Sequence, residues 1–180
     1  YVTWHQDLTY WGLDDAAEVT AWVALSPSNV DSGCMRFMPG SQRQSLVPHS
    51  DSFADDNLLS RGQEVTVKVD EADARDVVLE TGQASLHHGH LIHASGPNRT
   101  GDRRIGVAIR YMAPSMQQKT GDRPLVALVS GTDRHENFTV ALPPEGKLLE
   151  ADFARCRQDM ALKKRILYEG AQSDRGQRYR

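Results

Sequence analysis

The chain has 180 residues, a formal net charge of −3, 39% hydrophobic and 25% charged residues, a balance that fits one globular domain with a core of its own. It lacks the basic excess of a general nucleic-acid or membrane-surface binder, and no apolar run approaches the roughly 18 residues of a membrane-spanning helix. Two cysteines, Cys34 and Cys156, are too few and too far apart for a disulfide framework, and the opening residues do not read as a signal peptide. The expected setting is reducing and cytoplasmic.

Residues 1–11, rich in Tyr, Trp and Thr, read as a strand ending near Asp7. Side chains at i and i+2 of a strand leave from one face, so the imidazole of His5 and the carboxylate of Asp7 would converge. Residues 12–15 are a turn signal. Residues 18–26 alternate as a second strand, with Val19, Ala21, Val23 and Leu25 on one face and Thr20, Trp22 and Ala24 on the other. Small and polar residues around one Trp suit a cofactor-lined interior; a plain core aromatic is the other reading of Trp22.

A loop over 27–33 leads to a short strand over 34–38 and a turn at Pro39-Gly40. Residues 41–62 are polar and aperiodic, and a long irregular connection of this kind is expected to cover a site mouth. Residues 63–69 alternate again, with Val65, Val67 and Val69 on one face. A charged turn over 71–75, a strand over 77–80, a turn at 81–83 and a strand over 84–88 follow.

Four histidines then crowd together. His93 supplies a second imidazole, and two His with one carboxylate form the facial set that holds non-haem Fe(II) with open positions. His87 and His90 are read as exposed or structurally hydrogen-bonded. A four-histidine zinc cluster would lack both thiolates and zinc-site spacing.

After a tight connection over 94–102, Arg104 opens a strand in which Ile105, Val107, Ile109 and Tyr111 face one way and Arg104, Gly106, Ala108 and Arg110 the other. Gly106 and Ala108 are expected to leave an open volume beside Arg104, as a bound organic acid requires, and a guanidinium fork suits a carboxylate. A solvent-facing Arg with incidental small neighbours is the competing reading. Residues 124–129 read as an edge strand. Residues 150–168 read as an amphipathic C-terminal helix with Phe153, Met160, Leu162 and Ile166 on its apolar side, and 173–180 as a disordered polar tail.

His-x-Asp alone is common by chance. Four stretches together, WHQD at 4–7, AWVAL at 21–25, SGCMRFMPGS at 32–41 and LHHGHLIHASGPNRTGDRR at 86–104, resemble the phytanoyl-CoA dioxygenase family of Fe(II)/2-oxoglutarate oxygenases. The resemblance implies that His5, Asp7 and His93 ligate iron, that Arg104 and Ser95 grip the distal carboxylate of 2-oxoglutarate, and that Trp22 lines its pocket; His88 matches a recurring family position. It implies a mainly β fold, a double-stranded β-helix (jelly-roll or cupin-like barrel) with a C-terminal helix.

The implied reaction is hydroxylation of a small organic metabolite by O2, with 2-oxoglutarate converted to succinate and CO2. Related halogenases carry a small residue in place of the carboxylate, so Asp7 favours hydroxylation. The expected organisation is a single oxygenase domain over 1–180, monomeric or homodimeric, binding neither nucleic acid nor membrane. Family members carry a substantial segment before the first motif, so a chain with a ligand at position 5 reads as N-terminally short. Two rivals stand beside this reading: an inactive family member acting as a binding module, and a metal cupin that needs no 2-oxoglutarate.

Overall fold

Short strands bounded by turn residues dominate the computed structural model, which describes residues 1–171. The strands are β1 (Val2–His5), β2 (Glu18–Ala24), β3 (Met35–Phe37), β4 (His49–Asp51), β5 (Gln63–Val65), β6 (Arg75–Val77), β7 (Ala84–His87), β8 (His93–Ser95), β9 (Gly106–Met112), β10 (Leu125–Val126) and β11 (Thr139–Val140), followed by the helix α1 (Glu150–Leu167). The fold is therefore mainly β with one C-terminal helix, as expected. The chain gathers into two compact units, one of Tyr1–Thr9 and Glu18–Tyr111, the other of Tyr10–Ala17 and Met112–Gly170.

In the first unit one sheet has the order β1-β8-β3-β6 and another the order β7-β2-β9, while β4 and β5 form a separate pair. β8 lies between β1 and β3, antiparallel to both, with His93 opposite His5 and opposite Phe37. The register slips between Val2 and His5, a bulge of the kind that re-aims a side chain beside a site. β2 and β7 pair with Thr20 opposite His87, Ala21 opposite Leu86 and Trp22 opposite Ser85. The alternation read from the sequence thus holds in space: Thr20 and Trp22 share one face with Ser85 and His87. Leu8, Ala24, Met35, Leu91, Ile92 and Ala94 are among the buried apolar residues.

Several boundaries differ from expectation. β1 ends at His5, and Asp7 instead opens a 3-10 turn, Asp7–Thr9. The 41–62 stretch is not featureless: it holds a 3-10 turn and β4, whose His49 Nε2 accepts from the Gln6 amide at 3.0 Å. The alternation over 63–69 yields only three residues of strand, because Val65 is buried while Val67 is 38% exposed. β10 pairs in parallel with β11, a strand too short to leave a periodic signal.

In the second unit α1 spans nearly the expected residues but uses only part of the expected stripe. Phe153 and Met160 are exposed, and of the helix residues only Ile166 is buried among the described residues. Polar contacts hold it as well. Asp159 Oδ1 accepts from the Leu125 amide at 2.7 Å, and Arg165 pairs with Asp122 at 2.6 Å. No helix among the described residues is long and apolar enough to cross a membrane. Cys34 and Cys156 are both free, the first buried and the second exposed. The tail expected over 173–180 lies outside the described residues.

Candidate metal centre

His5, Asp7 and His93 come together from β1, the 3-10 turn and β8, each offering one ligand atom, all within 4.8 Å of one another. The two rings lie 4.1 Å apart centroid to centroid, the consequence of their register pairing across β1 and β8. His5 Nδ1 is 2.9 Å from the Thr3 carbonyl and His93 Nδ1 is 2.9 Å from the Leu91 carbonyl. A carbonyl only accepts, so each Nδ1 carries a proton and donates it, which turns the Nε2 lone pair of each ring inward. The two Nε2 atoms face Asp7 Oδ1 at 3.2 and 3.9 Å. Lone pairs and a carboxylate aimed at one point repel each other, and a divalent cation engages all three at once. The donor set therefore fits a 2-His-1-carboxylate metal.

The electrostatics agree. Burial alone would push the Asp7 carboxyl up, but the adjacent His5 and His93 imidazoles and the charge of Arg110 hold it well below the usual carboxylate range. Burial pushes His93 down to about 3, reinforced by His5. At neutral pH the site thus presents an anionic oxygen and a neutral imidazole from these two residues, the forms that bind metal.

Gln6, fully buried between the two ligands of the first motif, fixes the local backbone. Its side-chain amide donates to the His90 carbonyl at 2.7 Å and accepts from the Val47 amide at 2.8 Å.

Arg104 lies in the connection before β9 rather than at the start of the strand, with its guanidinium 5.3 Å from the Trp22 ring centroid. The open volume expected beside it is in part filled: a Cβ on Gly106 would meet Trp22 Cζ2 at 2.1 Å. Glycine is needed here so that the indole can lie against β9. Ser95 is buried on β8, two residues from His93 and so on the same face.

Arg110 acts by charge on Asp7, Glu18 and His87. His87 corrects the sequence reading. It is buried rather than exposed, 5.0 Å from His93 and 5.1 Å from Phe37 between ring centroids, and its Nδ1 has no hydrogen-bond partner among the described residues.

The sequence profile of the phytanoyl-CoA dioxygenase (PhyH) family matches residues 1–106, more than half of the chain. The chain belongs to the phytanoyl-CoA dioxygenase family. Human peroxisomal phytanoyl-CoA dioxygenase is 27% identical over 108 residues, covering 59% of this chain and 32% of that protein. Among solved structures, the non-heme monooxygenase ThoJ in its apo form is 34% identical with a TM-score of 0.80, over 93% of this chain and 60% of its own. EvdO2 from Micromonospora carbonacea var. aurantiaca, complexed with 2-oxoglutarate, is 27% identical with a TM-score of 0.54, over 77% of this chain and 51% of its own. This phytanoyl-CoA dioxygenase family chain thus spans about a third of the human relative and about three fifths of ThoJ.

Glu18 and Gly89 were not singled out from the sequence of this family member. Glu18 is buried at the start of β2 and accepts from the Gly89 amide. A Cβ on Gly89 would meet Glu18 Oε1 at 2.5 Å and Leu8 Cγ at 2.6 Å, so the glycine admits the carboxylate. Burial pushes the Glu18 carboxyl up, against the Gly89 amide and the charge of His88. The one available signal was a charged residue opening an otherwise apolar and small-residue strand.

Proposed function

We propose that this chain carries the metal centre of a non-haem Fe(II)/2-oxoglutarate-dependent dioxygenase that hydroxylates a small organic metabolite, with release of succinate and CO2. The observation that carries the reading is the convergence of His5, Asp7 and His93 with both Nε2 atoms turned inward. In this reading His5, Asp7 and His93 hold the iron. Arg104, kept over Trp22, pairs with the distal carboxylate of 2-oxoglutarate, with Ser95 adding a hydroxyl donor. Bound Fe(II), 2-oxoglutarate and O2 supply the oxidising chemistry, while the protein supplies position and exclusion of water.

The family membership and the 2-oxoglutarate held by EvdO2 support the cofactor set. Asp7 favours hydroxylation over halogenation, since the carboxylate occupies the position a halide would need. The finer fold reading belongs to the same proposal: the two sheets of the first unit are faces of a double-stranded β-helix, and residues 1–180 form one oxygenase domain. A small-molecule substrate, a monomer or homodimer and a cytoplasmic setting go with it.

Anaerobic titration of the Fe(II)-loaded protein with 2-oxoglutarate tests the reading. A weak visible charge-transfer band should develop, be lost in Asp7→Ala through failure of iron binding, and require about 100-fold more 2-oxoglutarate in Arg104→Ala, the direction expected from removing a charge-assisted pair worth roughly 1.5–3 kcal/mol. No band in the parent protein would leave a metal cupin without 2-oxoglutarate as the better description. An unchanged titration in Arg104→Ala would transfer the carboxylate contact to Arg103.

A further inference from the structure

Buried polar atoms in folded proteins nearly always find hydrogen-bond partners, so a cluster of orphans calls for an explanation. Among the described residues, seven buried side-chain polar atoms have no partner in the protein, and four of these sit on two paired strands: Glu18 Oε2, Thr20 Oγ1, Ser85 Oγ and His87 Nδ1. The register of β2 and β7 sets Thr20 opposite His87 and Trp22 opposite Ser85, so Thr20, Ser85 and His87 share the face that carries Trp22. That face is turned towards the centre. His87 lies 5.0 Å from His93 at one end, and Trp22 lies under Arg104 at the other.

Each such orphan costs about 1–3 kcal/mol in lost hydration. Three on one small patch, between a metal-binding trio and a guanidinium, have no structural return. A valine at position 20 would fill the same shape without the cost.

We propose that Thr20, His87 and Ser85 form a hydrogen-bonding cradle for the 2-oxo acid cosubstrate between the metal trio and Arg104. The inference rests on the reading of the centre as an Fe(II)/2-oxoglutarate site. Two hydroxyls and an imidazole N–H are donors suited to carboxylate oxygens. Arg104, just before the neighbouring β9 and over the Trp22 ring, sets the same preference for an anion. Thr20 and His87 serve the end of the cosubstrate near the metal, and Ser85 the end near Arg104. Glu18 stands apart from this cradle, its carboxylate engaged by the Gly89 amide.

The test compares Thr20→Val, Ser85→Ala and His87→Phe with the parent protein by anaerobic calorimetry, first with Fe(II) alone and then with 2-oxoglutarate on the Fe(II)-loaded protein. Each variant should weaken 2-oxoglutarate about 3- to 10-fold, the equivalent of one hydrogen bond, and leave the Fe(II) affinity unchanged. The melting temperature of metal-free Thr20→Val should rise or hold, because an unpaired buried hydroxyl has been removed; a merely structural threonine would give a fall. If His87→Phe does not fold, Thr20→Val carries the decision. A parent protein that binds 2-oxoglutarate with unchanged affinity in Thr20→Val and Ser85→Ala overturns the cradle and leaves the oxygenase reading intact. Loss of Fe(II) affinity together with a lowered melting temperature in Thr20→Val assigns a structural role and also overturns it. A parent protein that binds Fe(II) but no 2-oxoglutarate overturns the reading of the centre and the cradle with it.

Discussion

At the residue scale, the centre is built by aiming rather than by proximity alone. Backbone carbonyls at Thr3 and Leu91 each accept a hydrogen bond from a ring Nδ1 and so decide which nitrogen faces inward. The cost of burying His93 shows in its titration. A histidine in an unfolded chain titrates near ~6.5, whereas burial holds His93 down to about 3. Between those values the unfolded chain binds a proton that the folded one refuses, so stability falls as pH falls through that window. Asp7, held below the ordinary carboxylate range, adds a loss in the same direction at lower pH. The melting temperature of the metal-free protein should therefore drop by several degrees from pH 7 to pH 4, and His93→Gln should flatten the drop. A flat profile in the parent protein would contradict the buried, neutral state of His93.

At the element scale, two strands meet through one missing side chain. β9 approaches β2 closely enough that Gly106 has the Trp22 indole where a Cβ would stand, at 2.1 Å. Overpacking of this kind costs about 1–3 kcal/mol. Gly106→Ala should lower stability by that amount, measured by denaturant unfolding, and disturb the Trp22–Arg104 stacking enough to weaken 2-oxoglutarate. Combined with Trp22→Leu, much of the stability loss should disappear, since the clash then has no partner. A fully additive double variant would mean that Gly106 is needed for some other reason. The alternation of β9 was readable in the sequence; that its small residues admit an indole from β2 was not, because the sequence shows which residues share a face but not what the neighbouring strand inserts there.

At the scale of the whole molecule, ligand binding at the trio should report on the fold around it. Binding to the folded state alone stabilises by about 2.7 kcal/mol at a hundredfold excess over Kd. For a chain of this length that corresponds to a rise of roughly 5–10 °C in melting temperature. Anaerobic Fe(II), or Zn(II) as a redox-inert substitute, should give such a shift in the parent protein and none in Asp7→Ala. An equal shift in both would mean that the metal binds elsewhere.

The sequence by itself determined the family and pointed to the residues proposed to carry the chemistry, because residue identity and spacing are local: an i, i+2 pair, a distal histidine and an arginine eleven residues beyond it are legible without coordinates. It also placed α1 almost to the residue, since helix propensity and polar flanks are local too, while the apolar stripe held only in part: Ile166 is buried, but Phe153 and Met160 are exposed and Asp159 and Arg165 make polar contacts. Only the tertiary structure decided how the two imidazoles and the carboxylate are aimed, where the Trp22 ring lies, and that Thr20 Oγ1, Ser85 Oγ and His87 Nδ1 lack hydrogen-bond partners among the described residues on one shared face. Those facts depend on which strands pair and in what register. Pairing is set by contacts between residues as far apart in the chain as Val2 and Ser95, and the local pattern does not say which strands will meet.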